Sequence, residues 1–456
     1  MSKKFDISRF SHGGIELLND LHDAGYEAYF VGGCIRDLLM EKTPHDFDIC
    51  TNAVPEEVMA VLQQKHKRCI ETGLKHGTIT AIYGDDIYEV TTYRTDGEYK
   101  NHRSPEFVVF ENNIEADLSR RDFTINAMAY DPLHDDFIDV FGGELDIQKK
   151  VIRAVGEPQK RFDEDGLRIL RALRFAVRYE FAIDQATADA MIRQKRLLKC
   201  ISKERITAEL EKMLTCGKPI APLFTQFADV IGEIFPEMRV CFGFNQNNKY
   251  HKHNVYEHML AVVDACKANK FEIKLAALLH DIGKPRAYVV GEDGWGHFYG
   301  HPEICYQMAL EFLPKRLRLS AEQEKRVLEL IRYHDMSIPA THKAVKKALC
   351  KHGEDYMRDW FVLKQADMDD HIYPKQSEKY PSSVQPIALL MEEIIQEQAC
   401  FSIKDLDVNG RDIMEHFAIS PSPKVGEVLN ALLSSVIEEE VKNEKEELLK
   451  FAEKLF

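Results

Sequence analysis

The hydrophobic period of this chain changes once, and that change sets what it can fold into. Up to about residue 150, short apolar runs with strand-like character alternate with helical stretches. "YFVGG" (29–33), "DFDIC" (46–50), "GTITAIYG" (77–84) and "IYEVTTYR" (87–94) read as strands, and "PEEVMAVLQQK" (55–65) as a helix with Pro55 in its first turn. From about Asp163 onward, apolar residues recur at threes and fours, as in "EDGLRILRALRFAVRY" and "ERITAELEKMLTC". The expectation is an α+β chain: a head with a small mixed sheet, followed by helical segments only.

Linkers divide it further. "GFNQNNKYHKHN" (243–254) and "DDHIYPKQSEKYPSSVQP" (369–386) are polar connections. The expected segments are therefore a head over 1–150, a helical neck over 151–245, a histidine-dense unit over 250–375 and a helical tail over 376–456. At 456 residues and 45% hydrophobic content, several cores can be buried. No apolar run approaches the roughly 20 residues of a membrane span. "MSKKFDISRFSHGG" has no apolar stretch behind its lysines, so it is not read as a secretion signal. Ten scattered cysteines without a CxxC pair point to reduced thiols and a cytoplasmic protein.

A net charge of −15 argues against a nucleic-acid partner. The charge is uneven, however. Residues 149–212 carry 16 Lys/Arg against 10 Asp/Glu, so one face can still bind RNA.

Within the strand read at 46–50, Asp46 and Asp48 share a face, because alternate strand residues do. Two carboxylates that close are costly without a cation between them. A solvated strand face, a calcium loop and a two-metal site all accommodate DxD, although the calcium pattern is not completed here. Upstream, Gly32–Gly33 follow a strand, and Arg36 and Asp37 open a helix. Paired glycines let backbone amides approach a phosphate, and Arg36 adds a fork of donors. A phosphate cradle beside a carboxylate pair suits a metal–triphosphate site.

"VGGCIRDLLM…HDFDICT" resembles the first motif of the class II tRNA nucleotidyltransferases, the CCA-adding enzymes and their poly(A) polymerase relatives. "RRDFTINAMAY" (120–130), "EDGLRILRALRFA" (164–176) and "ERITAELEKML" (204–214) resemble three further motifs, in the family's order. The resemblance implies a polymerase-beta-like head in which Asp46 and Asp48 hold two Mg²⁺ ions. It implies that Gly32, Gly33 and Arg36 bind phosphate, and that Arg120, Arg121 and Asp122 read sugar and phosphate. It implies that Asp165 and Arg168 meet the edge of CTP or ATP without a template, with Arg171 and Arg174 facing the triphosphate or stacking. Arg168, Arg171, Arg174 and Arg178 also follow one another at helical spacing, beside an apolar stripe of Leu167, Leu170, Leu173 and Val177. Polymerases of this type often use a third carboxylate; Glu89 is the nearest strand candidate, and a solvated strand glutamate explains it equally well. The polar stretch 95–119 reads as a mobile loop of the kind that accompanies A addition.

In the second half, His280–Asp281 follows the apolar run "LAALL", and burying that aspartate requires a partner or a metal. His258, His280, Asp281 and Asp367 resemble the H…HD…D pattern of HD metal-dependent phosphohydrolases, with His301 and His334 matching the extra histidines of two-metal members. The resemblance implies a divalent metal there and a phosphate contact for Lys284. The tail resembles the RNA-holding part of bacterial nucleotidyltransferases.

The expected function is addition or repair of the tRNA 3′-CCA end from CTP and ATP, with tRNA as partner and no membrane. A poly(A) polymerase or A-adding enzyme with the same head is one alternative. An HD phosphohydrolase with an RNA-binding head is another.

Overall fold

A computed structural model of the protein describes residues 4–97, 99, 100, 104, 105, 107–372, 383–397, 402–438 and 440–455. The chain divides into two compact units, Met1–Arg239 with Arg316–Arg318, and Val240–Lys315 with Leu319–Phe456. The division at Arg239–Val240 falls inside the expected neck of 151–245, and Arg316–Arg318 of the expected histidine-dense segment belong to the first unit.

The first unit opens with α1 (His12–Asp23), whose Leu17, Leu18 and Leu21 are fully buried. Then come β1 (Ala28–Val31), α2 (Gly33–Leu39), β2 (Asp48–Thr51), α3 (Pro55–Gln64), β3 (Arg68–Gly73), β4 (Thr78–Tyr83) and β5 (Asp86–Thr92). After α4 (Ile114–Ser119) the sheet is completed by β6 (Ala129–Asp131) and β7 (Asp136–Ile138). The strand order is β7-β6-β1-β2-β5-β4-β3. Within this sheet the β2–β5 pair alone is parallel, with Ile49 opposite Val90, and α3 with the β3–β4 hairpin forms the crossover it requires.

The β1–β2 ladder ends at Val31 opposite Asp48. The next residue on β1's side, Gly32, has φ +78°, which turns the chain out of the sheet and leaves residues beyond this register without a partner. Asp46 therefore lies outside the strand, which corrects the expectation of two aspartates on one strand face. The helix after the glycine pair begins at Gly33, so Arg36 sits inside it rather than opening it. In the stretch read as a loop, Arg94–Asp96 pairs with Val108–Phe110, Tyr99–Lys100 pairs with Ser104–Pro105, and α4 follows; residues 98, 101–103 and 106 lie outside the described residues.

The neck contributes α5 (Pro158–Glu164), α6 (Arg168–Tyr179) and α7 (Lys203–Leu214). Between α5 and α6 the helical path breaks at Asp165–Leu167. Asp165 is extended there, its carboxylate accepts the Leu167 amide at 3.0 Å, and Gly166 lies so close to Leu197 that an added Cβ would sit 2.9 Å from it. Leu167, Leu170, Leu173 and Val177 are buried.

The second unit is helical, with α8 (Val255–Ala265), α9 (Phe271–Leu279), α10 (His301–Arg316), α11 (Ala321–Tyr333) and α12 (Glu354–Asp370). α9 is buried along its length and packs against α8, α11 and α12. The helices that follow enclose an apolar cluster around Ile413, Leu432 and Leu448. Residues 373–382 of the expected second linker lie outside the described residues. No described helix is long and apolar enough to cross a membrane.

Candidate functional site

A cleft of about 410 Å³ in the first unit is lined by residues from β1's exit, the start of β2, the turn after α4, and the neck. Gly32, Gly33, Arg36, Asp48, Arg120, Arg121, Asp122, Asp165, Arg168 and Arg171 all line it. Asp46 and Arg174 do not.

Asp48 is the acidic focus. Burial most of all, and then the Glu89 carboxylate, push its pKa up to about 6; Arg121 opposes this and Asp46 adds to it. Glu89 adjoins Val90, the partner of Ile49, so the two carboxylates come from neighbouring strands. Asp46 has a side chain 84% exposed, with His45 Nδ1 3.8 Å away. The carboxylates crowd each other more than the single nearby guanidinium relieves, which is the environment a divalent cation fits.

The basic side of the cleft is held by ion pairs. Asp117, fully buried, accepts from Arg120 Nε and Nη2 at 3.0 and 2.6 Å and from Arg121 Nη2 at 3.1 Å, at the C-terminal end of α4 where cations are favoured. An added Cβ at Gly32 would stand 3.0 Å from Arg121 Nη1, so the glycine is what lets that guanidinium approach the backbone. Arg36 donates to Asn126 Oδ1 at 2.5 Å and lies over the rings of Phe175 and Tyr179. Asp122 accepts from Phe123 N, Asn126 Nδ2 and Arg171. Burial alone would raise its pKa, but Arg171 overrides that and holds it at about 2.

On α6 the expected residues separate. The Asp165 carboxylate is gripped by Arg205 of α7 at 3.2 and 2.7 Å, not by Arg168. Arg168 donates to Glu164 Oε2 at 2.7 Å and to the carbonyls of Arg161 and Arg120. Arg174 pairs with Glu209 of α7 at 2.8 Å, and burial lowers its pKa. Arg174 was expected to face the triphosphate or to stack; it lies off the cleft lining, fastens α6 to α7 and stacks on Phe175.

In the second unit, the structure gathers all six expected residues. His258 Nε2 lies 3.3 Å from Asp281 Oδ2 and 3.2 Å from Asp367 Oδ1, and His280 Nε2 lies 3.3 Å from Asp281 Oδ2. His301 Nε2 is 3.2 Å from Asp281 Oδ1 and 3.1 Å from His334 Nε2. His258, His280 and Asp367 form one metal-sized group, and Asp281, His301 and His334 another. The Nδ1 atoms of His280, His301 and His334 each face the carbonyl three residues earlier, and that of His258 faces Asp370. Such anchoring protonates Nδ1 and presents Nε2 as a lone pair. His258 Nε2, His280 Nε2 and both Asp281 oxygens are buried without a hydrogen-bond partner among the protein atoms. Burial opposes charge on His258, but its carboxylate neighbours Asp281, Asp367 and Asp370 raise its pKa to about 10, so they favour a positive charge at this point, either a proton on Nε2 or a metal ion in its place. This donor set fits divalent metal. Lys284 is drawn to Asp281 at 2.6 Å and to Gln246. A cavity of about 570 Å³ opens on the group.

Against known proteins, the chain is 31% identical over 447 residues to a CCA-adding enzyme of Pediococcus pentosaceus, covering 96% of both chains. This chain belongs to the CCA-adding enzymes. Within that family it is also 49% identical over 197 residues to the Lactobacillus helveticus protein; that match covers 43% of this chain and about half, 48%, of the relative. The family model "Poly A polymerase head domain" matches residues 28–153, and "tRNA nucleotidyltransferase domain 2" matches 311–452, crossing the boundary expected at 375. The crystal structure of the Bacillus stearothermophilus CCA-adding enzyme in complex with CTP aligns at TM-score 0.69 and 29% identity over 97% of this chain and 96% of that one.

For a CCA-adding enzyme, the cleft residues that motif reading overlooked are Arg205, Asn126 and Phe175. Arg205 was visible in "ERITAELEKML", but its partner lies 40 residues away. Near the histidine centre, Asp370, His251 and His371 were overlooked. The isolated bridge between His251 and His371 brings those two together across both polar connections.

Proposed function

We propose that this chain adds or repairs the 3′-terminal CCA of tRNA, using CTP and ATP without a nucleic-acid template. The observation that carries this reading is the joint placement of Asp48 with Asp165 and Arg168 on one cleft, in a chain aligned end to end with a CCA-adding enzyme. The structure of the Bacillus stearothermophilus relative is a complex with CTP, which supports a nucleoside triphosphate as substrate.

Asp48 and Asp46, with Glu89 as a third carboxylate, would hold Mg²⁺. Two such ions, when bound, activate the RNA 3′-hydroxyl and neutralise the departing pyrophosphate. The chain's own groups do the remaining work. The backbone at Gly32–Gly33 and the guanidiniums of Arg36, Arg120 and Arg121 bind the triphosphate. Asp122, kept ionised by Arg171, accepts a ribose hydroxyl. Asp165 offers acceptors and Arg168 donors to the base edge, and Arg205 fixes the angle of Asp165. The nine described cysteines are free thiols, which supports the cytoplasm as the compartment.

The test is extension of three tRNA transcripts, ending before C, after CC, or complete, with Mg²⁺, CTP and ATP. CCA addition extends the first two and leaves the third. Extension of the CC-ended transcript alone would indicate an A-adding enzyme, and long A tails a poly(A) polymerase.

A second activity is favoured by the orphaned nitrogens and oxygens of the histidine centre. We infer a metal-dependent phosphohydrolase site there, held by His258, His280, Asp281, Asp367, His301 and His334. Metal bound in it would supply an activated water. Release of phosphate from phosphomonoesters, or ring-opening of cyclic phosphates to phosphomonoesters, lost in Asp281→Asn, tests it.

A further inference from the structure

A separate constellation lies in the head. His22, in the last turn of α1, Asp131, at the end of β6, and His134, in the turn before β7, converge on one point. β1 runs from Ala28 to Val31 toward the cleft, and β6 is antiparallel to it, with Ala129 opposite Val31. Asp131 is thus two residues further from the cleft end of the sheet, and none of the three residues lines the cleft.

The three side chains meet at a single oxygen. Asp131 Oδ2 is 3.2 Å from His22 Nε2 and 2.5 Å from His134 Nδ1, while Oδ1 accepts the Leu133 amide. Asp131 is 2% exposed, so its charge is poorly solvated. His22 Nδ1 faces the Tyr26 carbonyl at 3.0 Å, which places a proton on Nδ1 and turns Nε2 toward Asp131. That Nε2 is buried and makes no hydrogen bond of acceptable geometry, despite its nearness to the carboxylate. A lone pair facing a buried carboxylate is repulsive unless something positive lies between them. A proton on Nε2 would have to aim at Oδ2, and the geometry is poor for that.

A metal ion resolves the conflict. Around a tetrahedral centre with bonds of about 2.0–2.1 Å, neighbouring ligand atoms stand roughly 3.3 Å apart. The His22–Asp131 separation already has that value to within 0.1 Å. His134 is too close and must back away by roughly 0.8 Å to reach the same spacing. Its side chain is 65% exposed and has room to do so. The two rings stand edge to face, with centroids 5.0 Å apart, leaving both nitrogens turned to the shared oxygen. Asp131 first, and then Asp23, raise the pKa of His22, so a positive charge is favoured at this point.

We propose that His22, Asp131 and His134 form a divalent transition-metal site, of the zinc class, that staples the end of α1 to the β6–β7 turn. Two imidazoles and a carboxylate are ligands such ions accept, with water completing the shell. The site is structural: it ties the first helix of the head to the sheet edge, away from the nucleotide.

Hydrogen exchange of the full-length protein with and without buffered free Zn²⁺ tests this. The histidine-rich centre of the second unit is itself proposed to hold divalent metal, so the readout must be local. Zinc should slow exchange in 17–26 and 129–138 of the wild type, by up to about a hundredfold at a free concentration one hundred times Kd. His134→Ala, a change at an exposed side chain, should abolish that slowing and remove one zinc per chain, leaving exchange in 255–281 as in the wild type. His22→Gln should do the same. Slowing that is absent from both segments, or equal in wild type and His134→Ala, would overturn the proposal and leave the cluster as an imidazolium–carboxylate contact.

Discussion

Arg205 grips the carboxylate of Asp165 with both terminal nitrogens, from a helix that begins 38 residues further along the chain. Asp165 sits in the break between α5 and α6, where no helix holds it, so this contact and the Leu167 amide set where its oxygens point.

Loss of that grip should therefore damage base selection more than catalysis itself. A charge-assisted bond of this kind contributes about 1.5–3 kcal/mol, or roughly ten- to a hundredfold. Arg205→Ala is expected to lower kcat/KM for CTP and ATP by that factor and to raise incorporation of UTP and GTP. Arg205→Lys should rescue little, because lysine lacks the paired donors. Steady-state extension with each nucleotide measures both effects.

Asp48 and Glu89 raise different expectations. Asp48→Ala should abolish extension while leaving the fold intact. Glu89→Gln removes a neighbouring carboxylate from a site that keeps Asp48 and Asp46, so it should raise the Mg²⁺ requirement by about ten- to a hundredfold. A Mg²⁺ titration of the extension rate distinguishes a ligand from a bystander; an unchanged titration makes Glu89 a solvated strand residue.

The Asp122–Arg171 pair predicts a pH dependence of stability. Its folded pKa of about 2 lies below the ordinary 3.8, so the pair stabilises the fold above about pH 4 and loses that contribution as pH falls toward 2. The shift corresponds to about 2 kcal/mol. Asp122→Asn should lower Tm at neutral pH, and its deficit against the wild type should shrink between pH 4 and 2. Parallel melting curves across that range would contradict the assignment.

The histidine centre should be separable from the cleft. Asp281 faces both metal-sized groups, so Asp281→Asn should empty both. Metal analysis is expected to show that loss, while CCA extension continues.

Much of the site was legible because its signals are local. Gly32–Gly33, Asp48 and Asp122 lie in short motifs whose spacing carries their chemistry. His280–Asp281 announced itself by placing an aspartate after an apolar run. What escaped were relations set by distant packing. Gly166, in the break before α6, lies against Leu197, a contact that no helical periodicity reveals. Arg174 continues the basic spacing of α6, yet Glu209 of another helix decides where it points. Asp46 left the strand because β1, its pairing template, ends at Val31. His251 and His371 meet through a bridge spanning 120 positions.

The central claim is that one cleft, with Asp48 at its acidic focus, builds a defined three-nucleotide end. Its most direct test is to sequence the 3′ ends formed on a tRNA transcript lacking CCA, supplied with Mg²⁺ and all four nucleoside triphosphates. The wild type should write CCA and stop, and Asp48→Ala should write nothing. Ends of other sequence, open-ended A tails, or CCA formed by Asp48→Ala would contradict it.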